Sequence, residues 1–206
     1  MDLAKETDEQ LIERLGANND FIRWTATRLL QERPTEKAVA KLVTLATDQK
    51  TPPTQRRNAA FSFVGMAYNG LDVRIAMKFA DKLMSSKDDV LTAWATRLAW
   101  DSSSIRSELE STLLRRDSAE PLTEARATAP SDVRLQRVIG FAKLPKSKSV
   151  LKEFLVQLAC ADGDKLIPHI VWQNLHPRLE DQTSEFLDVL QSGDYLKKKP
   201  VADLMP

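Results

Sequence analysis

Residues 20–33 read DFIRWTATRLLQER, and the reading of this stretch decides the fold. Asp20 is of the residue type that caps a helix by accepting from free backbone N–H groups. Ile22, Ala26, Leu29 and Leu30 then fall on one stripe at helical spacing. Trp24 and Arg28 stand four apart on another face, where an indole and a guanidinium can touch. Pro34 ends the helix. The unit recurs at residues 89–100, DVLTAWATRLAW, and Ala-Thr-Arg-Leu begins six residues after the Asp in both copies, at Ala26 and at Ala95.

Working outward, the same grammar predicts helices over residues 7–15, 35–46, 54–68, 72–86, 102–114, 120–127, 132–144, 149–160, 164–175 and 181–190. Their stripes include Leu11, Ile12 and Leu15; Val39, Leu42, Val43 and Ala46; Ala59, Phe63 and Met66; and Ile75, Phe79 and Leu83. Gly16 suits a left-handed cap position, and Asn69-Gly70 marks a turn. Pro168 falls in a first helical turn, where proline is tolerated.

The helices that open at Asp20, Thr54, Asp89, Asp132 and Asp164 start 34, 35, 43 and 32 residues apart. Six residues after each opening stands Ala26, Ala60, Ala95, Val138 or Ile170, all small or apolar, so one helix can pack closely on the next. The 43-residue step leaves room for an extra turn near residues 115–120. Helix pairs repeating every ~34–47 residues mark an α-solenoid, in which stacking supplies the core that one pair lacks. The expected fold is therefore all-α: a right-handed, armadillo-like superhelix of about five helix pairs over residues 7–192, with 193–206 as a frayed tail or linker. If the array is a piece of a longer one, its end helices expose apolar outer faces, from Leu11 and Leu15 or from Phe186, Leu187 and Leu190.

Composition narrows the function classes. Hydrophobic residues make up 42% and charged residues 29%, a globular balance, and six glycines with few alternating Val/Ile runs argue against sheets. A net charge of +1 gives no global electrostatic case for nucleic acid, leaving only a local basic face. Cys160 is the sole cysteine, so no internal disulfide forms, and CADGD around it is not a haem-attachment signature. No apolar run approaches the ~20 residues of a membrane span, and the acidic N-terminus lacks an apolar signal core.

Asp20, Arg23, Ala26 and Leu30 form the pattern Asp-x-x-Arg-x-x-Ala-x-x-x-Leu, which resembles the second helix of a HEAT repeat. In that family the Asp and Arg ladder between neighbouring repeats. SDVRLQ at 131–136 resembles another copy with the Arg moved by one; the Thr54 copy keeps Arg57 and Ala60 without the Asp, and the Asp89 copy has Thr92 in the Arg position. NDFIRWTATRLLQER, a helix pair, SDVRLQRVIGFAKL and DGDKLIPHIVWQNL, in that order, are similar to the HEAT-repeat segment of PVC-type haem-binding proteins, which are described as membrane-bound dehydrogenases. The similarity covers most of residues 9–190. Such proteins are large, secreted and modular, with a sugar-dehydrogenase-like β-propeller before the helices and a c-type cytochrome domain after them. The resemblance implies a context: partners among neighbouring domains of one polypeptide, haem c held by the parent and no cofactor held by this chain, and a periplasmic or secreted location. Without the resemblance the expected location is cytoplasmic.

Candidate residues each carry a bland reading as well. Trp24, Trp94, Trp100 and Trp172 lie on the repeating helices, where an exposed Trp–Arg face suits a partner and a packed one fills gaps between helices. Packing is preferred. Arg23, Arg28, Arg56, Arg57, Arg97, Arg134 and Arg137 line up as a basic stripe or as bridges to Asp20, Asp89 and Asp132, and the even charge favours bridges. His169 and His176, with Asp162 and Asp164, fall short of a zinc ligand set. Cys160 reads as a structural thiol, the serines of 101–107 as a helix cap, and Glu108 and Glu110 point to different faces.

No catalytic or metal constellation emerges. The expected function is a non-catalytic scaffold that binds protein, with Arg23, Trp24, Arg28, Arg57, Trp94, Arg97, Arg137 and Trp172 as the candidate interaction surface. The alternative is a HEAT-like enzyme such as a DNA glycosylase or a chromophore lyase. A glycosylase needs a carboxylate beside tryptophans in a basic groove, for which Trp100-Asp101 is the candidate.

Overall fold

The computed structural model describes residues 2–101 and 129–204. The helices predicted over 102–114 and 120–127, the extra turn near 115–120, and Glu108 and Glu110 lie outside the described residues. Among the described residues there are helices and no strands. The chain divides into two compact units, Met1–Leu98 and Ala99–Pro206.

The first unit holds a 3-10 turn at Leu3–Lys5, then α1 (Asp8–Arg14), α2 (Asp20–Glu32), α3 (Glu36–Thr47), α4 (Pro53–Tyr68), α5 (Val73–Met84) and most of α6 (Asp89–Asp101). Local chemistry sets the starts. Thr7 and Gln10 form a reciprocal capping box on α1, Thr35 accepts from the Ala38 N–H at 3.2 Å, and Asp72 accepts from the Arg74 N–H at 2.8 Å. The α2 cap is Asn19, which accepts from the Phe21 N–H at 2.9 Å; Asp20, expected there, stands one residue inside. Gly16 does not take a left-handed conformation, because α1 ends in tightened i→i+3 bonds that satisfy its last carbonyls. Gly70 does (φ 100°), and the Leu71 N–H then closes back on the Met66 carbonyl at 3.2 Å to end α4.

Neighbouring helices pack on one another: α1 on α2 and α3, α2 on α4, and α3 on α4 and α5. Ala26, Ala60 and Ala95 are fully buried, as their place on the inward stripe requires. Leu30, Leu42, Phe63, Phe79 and Leu83 fill the space between, with the Phe63 and Phe79 rings 3.9 Å apart. Ile75, expected inward, is 41% exposed, because the buried stripe of α5 runs through Ala76, Phe79, Ala80 and Leu83.

The second unit contains α7 (Ser131–Ala142), α8 (Lys148–Ala159) and α9 (Leu166–Ser192), each packed on the other two, then a 3-10 turn (Tyr195–Lys197) and a short α10 (Lys199–Ala202). Asp164 caps α9 as expected of a helix opening, accepting from the Leu166 and Ile167 N–H groups at 2.8 and 2.9 Å. The two helices predicted over 164–175 and 181–190 are one run, helical through Pro177 and interrupted at Gln182 (φ −119°, ψ 26°). Continuation through Pro177 places Arg178 where its guanidinium donates to the Ala142 and Leu144 carbonyls at 3.1 and 2.9 Å, closing the end of α7. Trp100 lies flat against α7: a Cβ on Gly140 would come within 2.2 Å of its ring, and Phe141 meets it edge-on at 5.1 Å.

The predicted apolar end faces are largely covered. Leu11 and Leu15 are fully buried, Phe186 and Leu190 are buried, and Leu187 alone of that set is exposed. Residues 193–204 are not frayed: Tyr195 and Val201 are buried, and both the 3-10 turn and α10 pack on α8. Two anchoring apolar side chains suffice to hold so short a segment, although it has no helical period to read.

Candidate interaction surface

The candidate residues divide between the units, and each set is described by itself. In the first unit, α2 presents Phe21 and Trp24, which are 73% and 61% exposed. Two large aromatics left in water one turn apart are an uncovered patch rather than a scattered residue. Packing, the preferred reading, therefore does not hold for Trp24. Arg28, expected against Trp24, reaches one turn on to Glu32 at 2.7 Å. Arg23 pairs with Asp20 on its own helix and donates to the Ala17 carbonyl, so it braces the α1–α2 turn rather than laddering to a neighbour.

Gln31, Phe61, Trp94 and Arg97 link three helices. The Gln31 amide donates to the Phe61 carbonyl at 3.1 Å, joining α2 to α4. Gly65 makes this possible, since a Cβ there would lie 2.1 Å from the Gln31 amide carbon. Phe61 meets the Trp94 ring at 5.2 Å in an edge-on contact, joining α4 to α6, and the Arg97 guanidinium lies 5.4 Å over the same indole. Trp94 is half-buried and Arg97 exposed. Phe61 escaped sequence reasoning because it falls two residues before Phe63, off the core stripe that drew attention.

Arg57 bridges α4 to the start of α6. Its Nε and one terminal nitrogen donate to the two Asp88 oxygens at 3.0 and 3.2 Å, and Arg56 adds a third bond at 3.1 Å. The expected partner was Asp89. Asp88 is chosen because it also caps α6, accepting from the Val90 N–H at 3.1 Å. Burial pushes the Asp88 carboxyl up, but the Arg57 and Arg56 hydrogen bonds outweigh it and hold the group below its ordinary value.

In the second unit, Arg137 and Trp172 are half-buried, and Trp172 packs its ring 5.1 Å from His176. Arg134 is buried and donates to the Gln157 carbonyl at 2.6 Å. His169 shares a 3.0 Å contact with Gln173. Among the described residues no group of three or more His, Cys, Asp or Glu is placed to hold a metal ion. Trp100 is a core residue, and Asp101 accepts from Lys143 in an ion pair. Burial pushes the Tyr195 phenol up, with Glu153 and Cys160 adding to the effect. Among the described residues no helix is long and apolar enough to cross a membrane.

No family profile, curated protein or solved structure matches this chain.

Proposed function

We propose that this chain is a non-catalytic HEAT-like α-solenoid that binds protein, presenting the α2, α4 and α6 side of its first unit to a neighbouring domain or partner. One observation carries the reading: aromatic and arginine side chains at Phe21, Trp24, Phe61, Trp94 and Arg97 are shared out over three successive repeat helices and left wholly or partly uncovered. Trp, Tyr and Arg dominate protein hot spots because they bring large contact area with little entropy to lose. The arginines there are largely matched, Arg23 by Asp20, Arg28 by Glu32 and Arg57 by Asp88. A matched surface favours protein over a polyanion. By resemblance, the neighbours are a propeller dehydrogenase and a c-type cytochrome in one secreted polypeptide, and the haem belongs to that cytochrome.

The enzyme alternative keeps one candidate, Trp100-Asp101, and the buried ring and the Lys143 pair leave it no exposed carboxylate beside an open indole. The test pairs a thermal melt with a pull-down against the flanking domains. Arg28→Glu and Arg97→Glu, both at exposed positions, weaken capture while the melt stays near the parent. Salt-sensitive binding to duplex DNA with base excision, and no protein capture, overturns the reading. Whether the reading frame continues into a Cys-x-x-Cys-His segment tests the proposed context directly.

A further inference from the structure

We infer that the first unit also carries a binding site for a small amphiphilic monocation, a hydrocarbon body ending in one ammonium group, on elements separate from the surface just proposed. α3, α5 and the turn between α4 and α5 enclose a groove of 670 Å³. That volume lies inside the ~300–1,000 Å³ range of small-molecule sites. Pro34, Val39, Ala40, Val43, Leu71 and Ile75 make its walls. Ile75 is the telling member: it is the α5 residue that the repeat pattern places inward, yet it is 41% exposed and faces this groove. An uncovered apolar side chain in a concavity is the common setting of a ligand site.

The polar lining decides the charge of the occupant. Asp72 lies at the groove, and Arg74 holds its carboxyl down to about 2 with bonds of 3.2 and 2.8 Å, so it stays ionised and matched. Glu36 lies there too, and among the described residues it has no ion pair. The Thr35 hydroxyl donates to Asp8 at 2.6 Å, and one N–H of the Asn69 amide donates to the Gln31 carbonyl at 3.3 Å. The one unmatched side-chain charge offered to an incoming ligand is the Glu36 carboxylate, with the Asn69 amide oxygen as a further acceptor. An ammonium satisfies both, whereas an anion meets the unmatched Glu36 carboxylate beside an apolar wall that weakens water's screening. The walls supply affinity for hydrocarbon, and Glu36 supplies the choice of charge.

Decylamine, decanol and decanoate, matched in length and differing in charge, are titrated calorimetrically into the full chain below the concentration at which they aggregate. The expected result is one site that takes the amine ~5-fold or more tighter than the alcohol and binds decanoate weakest, a partly exposed ion pair contributing on that order. Glu36→Gln levels the amine with the alcohol. Ala40→Trp, at an exposed groove position, fills the space and removes binding of all three; Ile75→Lys, also exposed, weakens the amine selectively by supplying a competing ammonium. Thermal melts confirm that the variants fold. Equal affinity for the amine and decanoate, many binding sites per chain, no binding by the parent, or indifference to both Glu36→Gln and Ala40→Trp overturns the site.

Discussion

Arg57 on α4 grips Asp88, 31 residues further along the chain, through both carboxylate oxygens, and Arg56 holds the same carboxylate from the buried side. One acidic side chain thus caps α6 and ties it to α4. The Arg56 and Asp88 side chains are 10% and 4% exposed, so neither charge has water to fall back on.

Asp88→Asn therefore takes the counter-charge from a buried guanidinium that keeps only a neutral partner, Gln49 at 3.2 Å, and the expected loss is ~3 kcal/mol, the low end of removing one partner from a buried pair. A urea titration with an unchanged slope and an earlier midpoint is the expected reading. Arg57→Ala costs less, because Arg57 is 43% exposed and Arg56 still neutralises the carboxylate.

The same pair sets a pH dependence. The Asp88 carboxyl is held below its ordinary 3.8 in the folded chain, so its contribution is fully present above that value. It is lost as pH falls below 3.8 and through the depressed folded value. Melts of the parent and of Asp88→Asn should therefore converge on acidification below about pH 4, and a gap that stays constant to lower pH contradicts the assignment.

Ala26 and Ala95 are both fully buried, at 0% exposure. Ala26→Leu or Ala95→Leu is expected to cost ~1–3 kcal/mol by overpacking. Unchanged melts for both mean that the core there has slack that the structure denies.

Two glycines make a controlled contrast. The obstacle to a side chain at Gly65 is the end of the flexible Gln31, whereas at Gly140 it is the rigid Trp100 ring at 2.2 Å. Gly65→Ala loses the Gln31–Phe61 bond but gains up to ~1 kcal/mol of helix propensity, so its melt stays within about a degree or two of the parent. Gly140→Ala must displace an indole and is destabilising by ~1–3 kcal/mol. Equal effects at the two sites rule out this explanation of the close contacts.

The sequence carried the helices and their inward register because Ala26, Ala60 and Ala95 recur at a fixed offset from helix starts, and buried small residues leave a periodic trace. Asp88 was not legible: two adjacent acidic residues both satisfy the cap pattern, and only the three-dimensional position of Arg56 and Arg57 selects the first. Ile75 was misread for a related reason, since Ala76 and Ala80 offer an equally helical stripe one residue over, and only the packing of α5 on α3 and α4 decides between them. The hold of Tyr195 and Val201 on α8 is a long-range contact by a segment too short to show any period. The helices predicted over 164–175 and 181–190 merge because the run stays helical through Pro177, and the interruption falls instead at Gln182. Of the candidate surface, residue types were readable but exposure was not: nothing in the chain separates the exposed Trp24 from the core Trp100.

That separation gives the last prediction. Trp24 is 61% exposed and makes no ring contact with another aromatic among the described residues, while Trp94 is wedged between Phe61 and Arg97. If the α2–α4–α6 side is an interface, the two tryptophans should fail differently. Trp24→Ala exposes no core and removes contact area, so the melt stays put, within ~0.5 kcal/mol, while capture of a flanking domain falls tenfold or more, as for a hot-spot aromatic. Trp94→Ala opens a gap against Phe61 and releases Arg97, so the chain is destabilised, by ~2–4 kcal/mol for a half-buried aromatic, and binding falls with it. Fluorescence offers an independent check: the exposed Trp24 indole has the most surface for a bound partner to shield, so the blue shift on complex formation shrinks in Trp24→Ala and persists in Trp172→Phe. A partner that binds Trp24→Ala with parent affinity places the interface elsewhere on the chain.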